Sequence, residues 1–396
     1  MTAITTRAEH SRPEHALILR CVEQTIQDEH RVEPVHIDGF DWEYFFQTVK
    51  NHQITPLVYR CLSNGANHEI PPRVLDNLKT RMESIAFRNL KMTRTLHRVF
   101  EIFEEHDIRA LPYKGPALSG AVYGDLAVRR WADLDILLSK EDVLTAREKL
   151  LDNGFQPKSP LTARKKRTVL RSARHVSVLT EDDIRIELHW TVTGRQFPFD
   201  FEFENLWATR TSADSTGAEL PGISHEKLLL LLAVHGNRHC WQSLAWLCDV
   251  AGVVATTDFD WEHQLDVARR HGAKRMLLVG LALVRDLVGV ECPSVVSEEI
   301  QADSAVMDLV RQVTETFLWE QKPADLRQLR YKFGVREQYA DKFRMATRLA
   351  FSPTESDYDS MPATLQYYPL AVLYRPVRVA RVGGESLKDA FITSGR

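Results

Sequence analysis

Two carboxylates, Asp133 and Asp135, flank Leu134 at the head of the apolar run Ile136-Leu137-Leu138. Side chains alternate between the faces of a strand, so both acids are presented on one face while Leu134 and Ile136 enter the core. Like charges this close raise each other's cost of ionisation and call for a compensating cation. A hard divalent ion such as Mg²⁺, held by carboxylate oxygens and substrate phosphates, supplies one. An Asp-x-Asp pair alone more often simply ends a solvated strand, so its surroundings decide. Lys114-Gly115 closes the apolar run that precedes it, and Arg129-Arg130 stands just before it. Further on, alternation over residues 184–190 puts Ile184, Ile186 and Leu188 on one face and Arg185, Glu187 and His189 on the other. Glu187 is therefore a candidate third carboxylate. His189 beside it is either a partner that orients it or a residue lining the cleft.

The elements that must position these groups are legible from periodicity. Residues 1–13 read as disordered and helical periodicity begins near Glu14. Asp41 reads as the N-cap of a helix that follows, and a second helix runs over 54–62. Apolar spacing from 74 to 106 predicts one long amphipathic helix or a pair, a packing element for the sheet that follows. The period then changes: strand over 108–113, helix over 116–123, strand over 134–138, helix over 140–152 closed by Asn153-Gly154, and strands over 175–179 and 184–190 joined by an Asp-rich hairpin turn. Residues 198–221 are loop-like in composition. Helical periodicity resumes at His225 and runs to about Phe351, and prolines interrupt the rest. The expected organisation is a disordered start (1–13), an N-terminal helical region (14–107), an α/β core (108–195), a loop-rich connection (196–224), a helical domain (225–352) and a Pro-interrupted tail (353–396).

With 396 residues, 44% of them hydrophobic, the chain can bury a sizeable core. Fifty-one basic residues against 54 acidic leave a net charge of −3, so no global field draws it to nucleic acid or an anionic membrane. Five scattered cysteines without paired spacing predict reduced thiols and a cytoplasmic setting. No signal-peptide pattern opens the sequence, and no apolar run approaches the ~20 residues that span a bilayer. Between Lys158 and Thr180 lie seven basic residues and no acid: Lys158, Arg164, Lys165, Lys166, Arg167, Arg171 and Arg174. Such a run is a solvated surface or a phosphate-binding strip for an RNA acceptor. Without interleaved aromatics it does not support sequence-specific nucleic-acid binding, DNA included.

Two other motifs fail on chemistry. Gly115 to Gly120 has the glycine spacing of a Walker A loop, but Ala121 and Val122 stand where Lys and Ser or Thr are required. His235 and His239 have the i, i+4 spacing of zinc proteases, but Gly236 replaces the Glu that would act as base; Cys240 and Cys248 keep a zinc site open as the lesser reading. The preferred reading is that His235 and Asp249 turn the helical domain toward the cleft.

The ordered set Lys114-Gly115, Tyr123-Gly124-Asp125, Arg129-Arg130 and Asp133-Leu134-Asp135 resembles the catalytic segment of the bacterial uncharacterised nucleotidyltransferase family, a branch of the DNA polymerase beta-like superfamily. Asp41-Trp42 and Ile54-Thr-Pro-Leu-Val-Tyr-Arg60 upstream, with Ile186-Glu-Leu-His-Trp190, His235-Gly-Asn-Arg-His-Cys-Trp241 and Leu244-Ala-Trp-Leu-Cys-Asp249 downstream, extend the likeness over about 40–265. The resemblance implies an α+β fold: a small mixed β-sheet core flanked by N-terminal and C-terminal helical regions. It implies transfer of a nucleoside monophosphate from an NTP, ATP among them, to an acceptor, with two Mg²⁺ ions, or Mn²⁺ in their place, on Asp133, Asp135 and Glu187. The acceptor it leaves open among sugar phosphates, small molecules, proteins and tRNA. Lys114, Arg129 and Arg130 become candidates for the triphosphate, and Gly115 for close backbone approach to a phosphate. The broader superfamily has Gly-Ser or Gly-Gly here, whereas Gly115 is followed by Pro116; Ser119 is the candidate for the missing hydroxyl. A chain that kept the fold as a non-catalytic scaffold is the alternative, and the retention of all three carboxylates argues against it.

Overall fold

The computed structural model describes residues 12–27, 39–64, 70–159, 170, 173–193, 197, 199, 201–214, 219–320, 325–353, 357, 361 and 370–378. The fold is α+β. Four helices come first: α1 (Pro13–Ile26), α2 (Trp42–Asn51), α3 (Thr55–Asn64) and the 34-residue α4 (Pro72–Glu105). Asp41 caps α2 as its sequence predicts, accepting from the Tyr44 N–H at 2.9 Å. The apolar spacing over 74–106 resolves into one helix rather than a pair.

The core follows as β1 (Ala110–Pro112), α5 (Pro116–Tyr123), β2 (Leu134–Leu138), α6 (Val143–Asp152), β3 (Gln156–Pro157), β4 (His175–Leu179) and β5 (Arg185–His189). The sheet order is β1-β2-β5-β4-β3. It is mixed, because β2 pairs parallel with β5 while β1–β2, β5–β4 and β4–β3 are antiparallel. Its two faces have different fates. Leu134, Ile136, Leu138, Val176, Val178, Ile186 and Leu188 pack with Met92, Leu96, Val99 and Phe103 of α4 and with Val143, Ala146 and Leu150 of α6. The opposite face carries the acids.

Residues 203–222, read from composition as loop, contain a short helix, α7 (Phe203–Ala208), and a hairpin of β6 (Thr211–Asp214) and β7 (Glu219–Gly222). Elements this short carry too few apolar residues to show a period. The C-terminal helices are α8 (His225–Arg238), α9 (Leu244–Thr256), α10 (Trp261–Arg270), α11 (Lys274–Val288), α12 (Ser294–Ala302), α13 (Ser304–Gln312), a π-turn over Val313–Phe317, α14 (Asp325–Gly334) and α15 (Tyr339–Phe351). They are not a separate body from the N-terminal helices. Leu17, Ile18, Cys21 and Val22 of α1 belong to one core with Val250 and Val253 of α9 and Leu277, Leu281 and Val284 of α11. The N-terminal and C-terminal regions that the pattern sets apart thus share a hydrophobic interior. Among the described residues, no helix is long and apolar enough to cross a membrane. The readings for residues 1–11, for Arg164, Lys165, Lys166, Arg167 and Arg171, and for most of the tail beyond 353 lie outside the described residues.

Candidate functional site

Strand register builds the site. Asp135 of β2 stands opposite Glu187 of β5, and Leu137 opposite His189. On the other side of β5, Glu187 faces Ser177 and His189 faces His175 of β4. Asp133, one residue before β2, shares the face of Asp135. The three acids, His175, Arg185 and His189 therefore occupy one face of two parallel strands and an antiparallel neighbour.

Arg185, Lys114 and two imidazoles surround the acids. Arg185 reaches Asp133 Oδ2 at 3.0 Å through Nη2 and Glu187 Oε1 at 3.5 Å through Nε. His189 Nε2 lies 2.8 Å from Asp135 Oδ1 and 3.3 Å from Glu187 Oε2, and His175 Nε2 lies 3.5 Å from the same Glu187 oxygen. Lys114 Nζ is 3.8 Å from Asp135 Oδ2 and 3.1 Å from His235 Nδ1. The Tyr113 hydroxyl donates to Asp135 Oδ1 at 3.5 Å.

The titration of these groups follows from their surroundings. Burial works to raise Asp135, but Lys114 and then His189 outweigh it and hold the carboxyl well below the usual range. Glu187 follows the same pattern, burial being overcome by the neighbouring imidazoles, which bring it to about 2. Asp133 goes the other way, raised by burial and then by Asp135 and Glu187. Burial lowers His175 to about 4, leaving it a neutral imidazole at pH 7. Burial also lowers Lys114, with Asp135 opposing.

Gly115 sits at φ +63°, where only glycine is unstrained, and begins α5 directly after Lys114. Its α-carbon comes close to the Asp133 carbonyl: a side-chain carbon added there would lie 3.8 Å from that oxygen. The turn that presents Lys114 and the strand that presents the acids are thus adjacent.

Other predicted residues have the following neighbours. Arg129 is buried and ion-paired with Asp249 of α9 at 2.6 Å, and the Tyr123 hydroxyl donates to the same oxygen at 3.5 Å. Arg130 has Arg81 and Arg88 of α4 as its charged neighbours. Ser119 requires a correction: its hydroxyl is 0% exposed and accepts from the Trp131 indole at 2.9 Å, so it is not offered to a phosphate. His235 of α8 and His239 just after it pack against each other and against Trp246 of α9, with ring centroids 4.7 to 5.3 Å apart, and His235 is the ring that meets Lys114. Among the described residues, neither Cys240 nor Cys248 joins these histidines in a metal-binding group.

Residues that sequence reading left without a role complete the site. Arg185 was visible on the face of Glu187. His175 needed the β4–β5 register to find it. Arg238, and Arg174 which the sequence placed only in a basic run, act electrostatically on Asp135.

The donor set suits a divalent cation. Three carboxylates offer hard oxygens, and the cost of crowding them is visible in the raised Asp133. His189 is fully buried with Nε2 between Asp135 and Glu187, and its Nδ1 has no hydrogen-bond partner among the described residues, room for a further interaction that an ion or water can fill.

No curated protein matches the chain. Among solved structures, it is similar to the lincomycin-bound lincosamide antibiotic adenylyltransferase LnuA, with 15% identity, 41% of this chain and 97% of that chain covered, and a TM-score of 0.31. The family described as "Uncharacterised nucleotidyltransferase" matches residues 38–289, a span that takes in the long helix, the whole sheet and the rings of His235, His239 and Trp246, and the chain belongs to that family.

Proposed function

We propose that this chain moves a nucleoside monophosphate from an NTP, ATP among them, to an acceptor with release of pyrophosphate, using Mg²⁺, or Mn²⁺ in its place, in a two-metal mechanism. The observation that carries the reading is the register that sets Glu187 opposite Asp135, with Asp133 on the same face. Asp133, Asp135 and Glu187 would hold the ions. Bound there, divalent ions neutralise triphosphate charge and activate the attacking oxygen of the acceptor. Lys114, kept in place between Asp135 and His235, supplies an ammonium for the phosphates. Gly115 lets the backbone approach them without a side chain in the way. His235, packed on His239 and Trp246, would hold Lys114 in position toward the phosphates. The acceptor is a sugar phosphate, another small molecule, a protein or a tRNA. The five cysteines are all free thiols, which suits a reducing cytoplasm.

Calorimetry of NTP binding with and without Mg²⁺ tests the reading. Binding should need the ion and vanish in the Asp133→Asn, Asp135→Asn double variant; binding indifferent to both overturns it. Incubation with each labelled NTP and a cell extract, followed by separation of RNA, protein and small molecules, then identifies the acceptor.

A further inference from the structure

The carboxylate face carries more nitrogen than an all-oxygen Mg²⁺ site requires. Among the described residues, one set of potential ligands has its donor atoms all within 4.8 Å of one another, and it is His175, Glu187 and His189. We infer that these three residues form a binding site for a transition-metal ion of the Zn²⁺ class, different in donor chemistry from the carboxylate position at Asp133 and Asp135. The inference shares Glu187 with the function proposed above but does not depend on nucleotide transfer.

Geometry carries it. Glu187 and His189 are i, i+2 on β5, and His175 is the direct cross-strand partner of His189 on β4. All three ligands therefore stand on the rigid sheet, on the same face, with no loop to order on binding. Tetrahedral Zn²⁺ with bonds of about 2.0–2.1 Å needs neighbouring donors about 3.3 Å apart. Glu187 Oε2 lies 3.3 Å from His189 Nε2 and 3.5 Å from His175 Nε2. Glu187 is divided between two tasks, because Oε2 faces the imidazoles while Oε1 faces Arg185.

The Nε2 atoms of both histidines meet carboxylate oxygens, and their Nδ1 atoms make no hydrogen bond within the protein, His189 being 0% exposed. The two rings lie 4.9 Å apart at 39°, too tilted to be a stacked pair. Two imidazoles and one carboxylate favour Zn²⁺ and its neighbours over Mg²⁺, which prefers oxygen and keeps its water.

The test uses the full-length protein, stripped by a chelator and titrated without nucleotide. Co²⁺ reports coordination through its visible bands, and Zn²⁺ is measured by competition with a chromogenic chelator. One ion per chain is expected, not displaced by excess Mg²⁺, and His175→Ala or His189→Ala should weaken it by at least about 100-fold. Asp133→Asn should leave it in place while impairing Mg²⁺-dependent NTP binding, which separates this inference from the proposed activity. In case the histidine variants do not fold, electron paramagnetic resonance of Cu²⁺ bound to the wild-type protein gives an independent readout, with two imidazole nitrogens expected. Failure to retain Zn²⁺, an unchanged affinity in the folded histidine variants, or a Cu²⁺ spectrum without nitrogen coupling overturns the inference.

Discussion

Arg129 and Asp249 illustrate how a cation near a cleft can be committed to structure before any substrate arrives. The pair is buried at 2.6 Å, joining the approach to β2 with α9. Removing one member of a buried pair leaves the other charged and desolvated, which costs about 3–5 kcal/mol, whereas replacing both with apolar residues is close to neutral. Asp249→Asn should therefore destabilise the protein by about 3 kcal/mol or more in urea unfolding, and Arg129→Met with Asp249→Leu should recover most of that loss. Equal stability of single and double variants would show that the pair is not the closed structural unit described here. The double variant has a second use. If it folds and still binds NTP with Mg²⁺, the triphosphate is met by Lys114 and not by Arg129; if binding is lost from a folded protein, Arg129 leaves Asp249 to meet substrate. Lys114 differs from Arg129 in having no dedicated partner: its ammonium lies 3.8 Å from Asp135 and 3.1 Å from an imidazole, contacts a phosphate can replace.

At the scale of elements, α8 and its turn explain a motif that sequence comparison with zinc proteases leaves incomplete. Gly236 stands where a protease has Glu because the buried Trp241 ring occupies the space: a side-chain carbon at 236 would lie 2.3 Å from it. Gly280 of α11 is also close by, since a side-chain carbon there would lie 3.1 Å from the same ring. Alanine at 236 would gain about 1 kcal/mol in helix propensity but impose overpacking of about 1–3 kcal/mol or more on that indole. Gly236→Ala should thus lower the urea midpoint; a midpoint at or above that of the wild type would mean the indole can move. Such close packing is invisible in a linear pattern, whereas elements marked by punctuation are not. Pro116 at the first turn and Gly124 at φ +60° delimit α5 at the predicted residues, and alternation delimits β2 and β4 equally well. Alternation also sets Glu187 on the face of Arg185 and His189. It does not say that β5 pairs parallel with β2, or that His175 is the cross-strand partner of His189, because register is decided by tertiary packing. For the same reason Ser119 reads as an available hydroxyl until Trp131 is seen folded over it.

Across the whole molecule, the N-terminal helices are fastened to the C-terminal bundle at a histidine cluster remote from the acids. His15 of α1 stacks on Trp319 with centroids 3.7 Å apart and shares a 2.7 Å hydrogen bond with the Tyr44 hydroxyl of α2. His52, between α2 and α3, meets the same indole edge-on, and its Nδ1 accepts the Leu244 N–H at the start of α9 at 3.3 Å. Its carbonyl receives two more bonds, from Ser243 Oγ at 2.9 Å and Ala245 N at 3.3 Å. An imidazole nitrogen that accepts a backbone N–H cannot also carry a proton, and burial, with His15 adding to it, lowers His52 to about 4. Free histidine titrates near 6.5, so between about pH 6.5 and 4 the unfolded chain binds the proton that the folded chain refuses. Stability from this residue is complete above about 6.5 and declines as the pH falls toward 4, by roughly 3 kcal/mol in all. Urea midpoints at pH 7.5, 6.0 and 5.0 should fall in that order, and His52→Asn, which can still accept from Leu244, should flatten the decline. An identical slope in the variant would assign the acid sensitivity to other groups and leave the joint between α2 and α9 indifferent to protons.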